Sequence, residues 1–442
     1  MTSARDGEAA EAHRGGRSTK ALSTSRDFAR YQREWFIEVQ RQVREDGVPF
    51  ALVNADAPHE LLRAMGIPYV VNQWWASICA AKQRSADYLG LLRERGYPDD
   101  QEPYSALALG SSFDDPDDAP WGGLPIPDLV MAYLNSDATG KIFELWAHEH
   151  GATFFPFEGT VHPGELEPRW FERMDHHWDE VIGRERIELM LEEMKGLIRH
   201  LEIETGRAFD ETAFARVMDL SNEHEEYNRQ TRDLIANARP APLSVADGIP
   251  SVMIPQWHRG TEWGRDAAKR FRDEVQARVD AGDAAFPDER IRLMWIGRGL
   301  WFDMGFYQYF EERFGAVFVW SMYLAVGADC YLRYGGEPLE RLAARFAALG
   351  DTYNMPPWSS EWYAKEAVHN GIDGVVHLTT DAVRGTHFIT RRIEEAGIPI
   401  IEISGDNVDA RAWDDGTVKE RIAAFIEQEV EPRLAERSGA QS

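Results

Sequence analysis

Two aspartates sit at matching places in two similar stretches of the chain. Asp128-Leu129-Val130-Met131-Ala132-Tyr133-Leu134-Asn135-Ser136-Asp137-Ala138 runs into a helical pattern, then Gly151 and an apolar strand. Asp373-Gly374-Val375-Val376-His377-Leu378-Thr379-Thr380-Asp381-Ala382 runs into a helical pattern, then Gly397 and an apolar strand. In both, the second Asp falls just past the carboxyl end of a strand. Open parallel sheets bind ligands in the crevice beyond those ends. A carboxylate there can act as acid or base, or hold a hard divalent cation through oxygen. The plainer alternative is a helix cap, because Asp accepts from the free N–H groups of a first turn.

Other constellations are weaker. His148-Glu149-His150 and His176-His177 place histidines one or two residues apart, which leave a helix on different faces. Gly297-Arg298-Gly299 follows an apolar strand. A turn is the plain reading, and backbone N–H groups holding a phosphate the sharper one. The chain has no GxxxxGK[ST], GxSxG or HExxH motif, which disfavours an NTPase, a serine hydrolase and a zincin.

The elements that would position these residues alternate. Strands are expected at 50–53, 67–72, 129–134 and 153–157, with helices at 59–65, 75–95 and 139–150. After a middle stretch, strands return at 291–296, 316–320, 374–378 and 400–403, with helices between them and at 418–427. Such alternation implies parallel sheets with helices on their faces. The middle is charged and helix-periodic over 165–204, 210–237 and 259–281, with an irregular segment between about 240 and 255. The expected organisation is a disordered tail (1–25), an N-terminal α/β lobe (26–160), a helical region (161–285) and a C-terminal α/β lobe (286–442). The fold class is α/β, with two Rossmann- or flavodoxin-like lobes and a helical middle.

Composition bounds the partners. The 442 residues are 43% apolar, enough for a sizeable core, and 48 basic against 75 acidic residues give a formal charge of −27. Such a surface repels phosphate backbones, so nucleic acid is not expected. The longest apolar stretch, 316–326, is too short to span a bilayer, and the first residues lack the apolar core of a signal peptide. With only Cys79 and Cys330, neither a disulfide framework nor a CxxC zinc site is expected, and a reducing cytoplasm fits.

Several short pieces recur in a definite order. They are His59-Glu60-Leu61-Leu62-Arg63-Ala64-Met65-Gly66-Ile67-Pro68, then Pro127-Asp128-Leu129-Val130, Ser136-Asp137 and Lys141-Ile142-Phe143-Glu144. Asp373-Gly374-Val375-Val376, Gly397-Ile398-Pro399, Gly405-Asp406, Asp409 with Arg411, and Arg421-Ile422 with Phe425 follow. No piece is specific alone, but in this order and spacing the chain resembles the 2-hydroxyacyl-CoA dehydratase and benzoyl-CoA reductase family, as a D-component-type subunit, over about 30–427. The resemblance implies a two-subunit enzyme acting on a CoA thioester, with electrons supplied by an ATP-driven activator. It also implies a 4Fe–4S cluster held by three cysteines, because such clusters need thiolate ligands.

This chain departs at all three ligand positions. The matching windows read Glu102-Pro103-Tyr104, Ser136-Asp137 and Thr380-Asp381-Ala382-Val383. Cys79 and Cys330 match none of them and read as buried small residues. The expectation is therefore a cluster-free subunit that binds no cofactor or metal itself, with a paralogous partner holding the cluster. One alternative is a non-redox CoA-thioester lyase or hydratase with Glu102, Asp137 and Asp381 as catalytic carboxylates. The other is a non-catalytic scaffold or binding subunit. Candidate substrate-binding residues are Glu60, Trp74, Trp75, Tyr104, Ser136, Lys141 and His387. Core packing at a strand end is the plainer reading of the tryptophans, and the helix dipole of Glu60.

Overall fold

A computed structural model describes residues 21–134, 136–161, 169–354, 358–380 and 386–439. The N-terminal part begins with helix α1 (Ser23–Arg44), β1 (Ala51–Val53), α2 (His59–Ala64), β2 (Tyr69–Val71), α3 (Asn72–Ala81), α4 (Ser85–Glu94) and α5 (Pro103–Ser111). It closes with β3 (Leu129–Tyr133), α6 (Asp137–His150) and β4 (Thr153–Phe157). The middle is helical: α7 (Trp178–Ile182), α8 (Arg184–Thr205), α9 (Glu211–Asn237), α10 (Val245–Gln256) and α11 (Glu262–Ala281). The C-terminal part holds β5 (Ile291–Ile296), α12 (Tyr309–Phe314), β6 (Ala316–Ser321), α13 (Met322–Val326), α14 (Pro338–Asn354) and α15 (Trp358–His369). It ends with β7 (Gly374–Thr379), α16 (His387–Glu395), β8 (Ile400–Ser404), α17 (Asp415–Phe425) and α18 (Glu431–Gly439).

Among the described residues there are two four-stranded sheets, β2-β1-β3-β4 and β6-β5-β7-β8, and every pairing in them is parallel. Both sheets are wound in the same sequence: the second strand lies outside the first, then the third and fourth follow. The weak repeat in the sequence is therefore a repeat of topology. Strands β1, β2, β3, β5 and β7 are buried almost throughout, as strands covered by helices on both faces must be. No helix of the described residues is long and apolar enough to cross a membrane.

Four local readings change. The single helix expected over 75–95 is two helices, because Gln83 takes a left-handed φ of 59° between them. Trp74 and Trp75 stand in the first turns of α3 and not at a strand end. The segment expected to be irregular before Pro255 contains α10, with Pro250 and Pro255 inside the helix. Nearly all of α10 is buried, so tertiary packing outweighs the lost backbone hydrogen bonds that proline imposes. Residues 21–25, inside the segment expected to be a tail, are held against the helical middle. Thr24 donates its hydroxyl to Glu274 at 2.6 Å, and the Ser25 and Ser251 hydroxyls lie 2.6 Å apart.

Candidate functional site

The carboxyl ends of the two sheets face one shared cavity of about 300 Å³. In the N-terminal lobe, β1 runs out into Asn54, Ala55 and Asp56, which line it. Asn54 Oδ1 accepts from the Tyr133 backbone N–H at 3.0 Å, fastening the end of β1 to β3. Ser136, just past β3, lines the same space and caps α6, its Oγ accepting from Thr139 N at 3.1 Å. Asp137, the next residue, is exposed and, among the described residues, accepts from its neighbour's N–H, Ala138 N, at 2.9 Å. The cap of this helix is thus the serine, and the aspartate is not among the residues lining the cavity.

The C-terminal lobe contributes through β5. Gly297 has φ 114°, and a Cβ there would lie 2.9 Å from Leu378 Cβ and 3.0 Å from Leu378 O. Only glycine lets the chain turn this close to β7. The turn delivers Arg298, whose Nη1 donates to Glu102 Oε1 at 2.8 Å. The Arg298 guanidinium also stands 5.0 Å from the Tyr104 ring centre. Burial opposes its charge, but the Glu102 carboxylate outweighs burial and raises its pKa above the usual arginine value. The Gly299 N–H is occupied by Tyr323 Oη at 2.9 Å, so the turn does not present a bare nest of amides. Its functional group is the arginine.

Tyr323, Tyr331, Tyr363, Met253, Met322 and Val326 give the cavity an aromatic and apolar wall. His377 on β7 also lines it, with Nδ1 3.0 Å from Thr390 Oγ1. Burial pushes its imidazole pKa down to about 4.

Of the expected residues, Glu102, Tyr104 and Ser136 meet at this cavity. Thr380, from the third window, joins them, while Asp381 lies outside the described residues. The others stand elsewhere. Glu60 is fully buried and paired with Arg259 at 2.7 Å and with Arg345. Burial would raise its carboxyl pKa, yet the two guanidiniums hold it well below the usual carboxylate range. Trp74 donates to Gln32 Oε1 and Trp75 to Ser111 Oγ, each at 2.8 Å, both inside the core. Lys141 is exposed and pairs with Glu144 at 2.7 Å. His387 is 67% exposed and 3.7 Å from Glu402. Sequence reasoning passed over His377 and the side chain of Arg298. A histidine inside the apolar run Val375-Val376-His377-Leu378 was the available signal, since a buried polar residue needs a reason.

Residues 54–428 match the family described as 2-hydroxyglutaryl-CoA dehydratase, D-component. The chain belongs to that family. Among curated relatives, this D-component family member is 22% identical over 398 residues to the (R)-2-hydroxyisocaproyl-CoA dehydratase alpha subunit of Clostridioides difficile, spanning 87% of this chain and 91% of the relative. It is also 22% identical over 408 residues to the (R)-phenyllactyl-CoA dehydratase alpha subunit of Clostridium sporogenes, spanning 89% of this chain and 93% of the relative.

The residues at this cavity do not fit a 4Fe–4S cluster. The chain has two cysteines in all, and neither lines the cavity. Cys79 is sealed in α3, where burial pushes its thiol pKa up and so disfavours the thiolate. Cys330 follows α13 and is 1% exposed. The donors around the cavity are oxygen, nitrogen and the neutral thioethers of Met253 and Met322, whereas such clusters take thiolates.

Proposed function

We propose that this chain is one subunit of a hetero-oligomeric acyl-CoA-processing enzyme of the 2-hydroxyacyl-CoA dehydratase kind, with the thioester end of its substrate in the inter-lobe cavity. The observation that carries the reading is the cavity itself, formed where the carboxyl ends of both parallel sheets converge. That is where open parallel sheets bind ligands. In this reading the 4Fe–4S cluster and the ATP-dependent activator that serves it belong with a paralogous partner subunit, in a reducing cytoplasm. This chain contributes a binding wall.

The side chains suit such a ligand. The tyrosine and methionine wall accepts an apolar acyl group, while Arg298, anchored by Glu102, offers guanidinium N–H groups to a thioester carbonyl. A second reading, non-redox acid–base chemistry on the thioester, is favoured by His377. It is not favoured by the carboxylates, since Glu102 is engaged by Arg298 and Asp137 points to solvent.

The deciding experiment is iron and acid-labile sulfide analysis of the chain purified without oxygen, alongside calorimetric titration with an acyl-CoA. The expected result is no iron and saturable binding. Stoichiometric iron and sulfide would overturn the cluster-free reading, and no binding would leave a scaffold subunit.

A further inference from the structure

We infer that His377 is a proton acceptor for the ligand in the inter-lobe cavity, held in the required tautomer by Thr390 and Glu402, with Arg298 as the facing anion stabiliser. The inference rests on the acyl-CoA reading above and names the chemistry of that same site.

The tautomer follows from a chain of hydrogen bonds. Thr390 Oγ1 donates to Glu402 Oε1 at 2.5 Å. A hydroxyl has one proton to give, so at His377 the threonine oxygen accepts, and Nδ1 must carry the hydrogen across the 3.0 Å contact. In a neutral ring Nε2 then holds a lone pair. Nε2 has no hydrogen-bond partner among the described residues, and His377 is one of the residues that line the cavity. Burial keeps the ring neutral at physiological pH. The arrangement is base, orienting hydroxyl, carboxylate, in the order that acid–base sites use.

Register brings the second component alongside. Ile296 pairs with His377 across β5 and β7, and Arg298 follows two residues after Ile296 and lines the same cavity. A neutral base and a permanently charged guanidinium at adjacent strand ends suit removal of a proton beside a carbonyl. His377 Nε2 takes the C2 proton of an acyl thioester. The C–H electron pair becomes the C1–C2 π bond, and the carbonyl π pair moves to oxygen, facing Arg298. Returning a proton from the imidazolium to C2 restores the thioester, so no oxidant or reductant is consumed. When Nε2 gains the proton, the new positive charge lies one hydroxyl from the Glu402 carboxylate. Thr390 and Glu402 are positioning residues.

The test uses the full chain in D2O with butyryl-CoA, following deuterium at C2 by mass spectrometry, and S-butyl-CoA, which has no carbonyl, as a binding probe. Wild type should bind S-butyl-CoA and exchange the C2 protons of butyryl-CoA. H377Q should exchange about 100-fold more slowly, the lower end for loss of a general base, with S-butyl-CoA binding kept. T390V should exchange about tenfold more slowly by the same logic. It should also lose the Nδ1–H signature in the 15N spectrum of the wild-type histidine, a change that a packing role would not produce. Wild type that binds S-butyl-CoA but does not exchange, or H377Q that exchanges at the wild-type rate, overturns the inference. Absence of S-butyl-CoA binding by wild type would instead sink the acyl-CoA reading on which it stands. Should H377Q fail to fold, T390V with an unchanged rate and an unchanged 15N spectrum is equally decisive against it.

Discussion

Glu60 and Glu102 each reach across the chain to an arginine, 199 residues away at Arg259 and 196 away at Arg298, yet the two sites differ in kind. The Glu60 site is sealed: its carboxylate, Arg259 and Arg345 have side chains at most 1% exposed. One carboxylate there serves two guanidiniums, and Glu60 Oε2, Arg259 Nη1 and Arg345 Nε find no partner among the described residues. At the other site Glu102 is 3% exposed but Arg298 is 29% exposed, its free face toward the cavity. The same pairing is thus structural where solvent and ligand are shut out and receptive where one partner stays open. Burial, not residue type, separates them.

The largest effect should come from Glu60→Ala. Removing one partner from a sealed ion cluster leaves buried guanidiniums uncompensated, which costs roughly 3–5 kcal/mol, read as a shift in urea unfolding. The comparison breaks if Glu102→Ala costs as much. The pH dependence sharpens the same point. Because the folded-state pKa of Glu60 is depressed, its contribution is complete above the ordinary glutamate pKa of about 4.3. It is lost as pH falls below that value. The stability gap between wild type and Glu60→Gln should therefore narrow in acid, and a gap that widens would refute the assignment.

Gly297→Ala comes next. A methyl group at φ 114° would meet Leu378, and strained backbone of this sort costs about 1–3 kcal/mol. The substitution should also displace Arg298 and weaken acyl-CoA binding, so calorimetry and thermal melts must move together. Arg298→Ala leaves the buried Glu102 carboxylate without this partner and should cost about 1–3 kcal/mol of stability, as a buried polar group left unsatisfied does, still below the sealed cluster. It should still weaken acyl-CoA binding about tenfold, the loss of one charged hydrogen bond. Binding at wild-type strength would remove the distinction between the two sites. The smallest effect belongs to Cys79→Ala. It should destabilise by about 1 kcal/mol as a small buried deletion, and leave acyl-CoA binding and iron content as they were.

The strands were legible because their signal is local. Residues 129–134 and 374–378 read as strands from apolar runs bounded by Asp and Gly, and they are β3 and β7 within a residue. Helix α10 was missed because prolines signal a break, and only the surrounding core reverses that preference. At the site, Glu102, Tyr104 and Ser136 were reached through family resemblance, while Lys141 and His387 were favoured for proximity in sequence and point outward. Trp74 and Trp75 were ambiguous because a large aromatic serves a core and a pocket equally well.

By itself the sequence determined the α/β class, the doubled lobe pattern, the family and the shortage of thiolates, since periodicity, motif order and a count of two cysteines need no coordinates. The tertiary structure alone decided which polar groups share a cavity. Arg298 meets Glu102, and His377 meets Thr390 and Glu402, only once two sheets are wound and turned toward each other. Backbone preference acts over a few residues, whereas these contacts depend on how distant segments pack, and no local pattern records that.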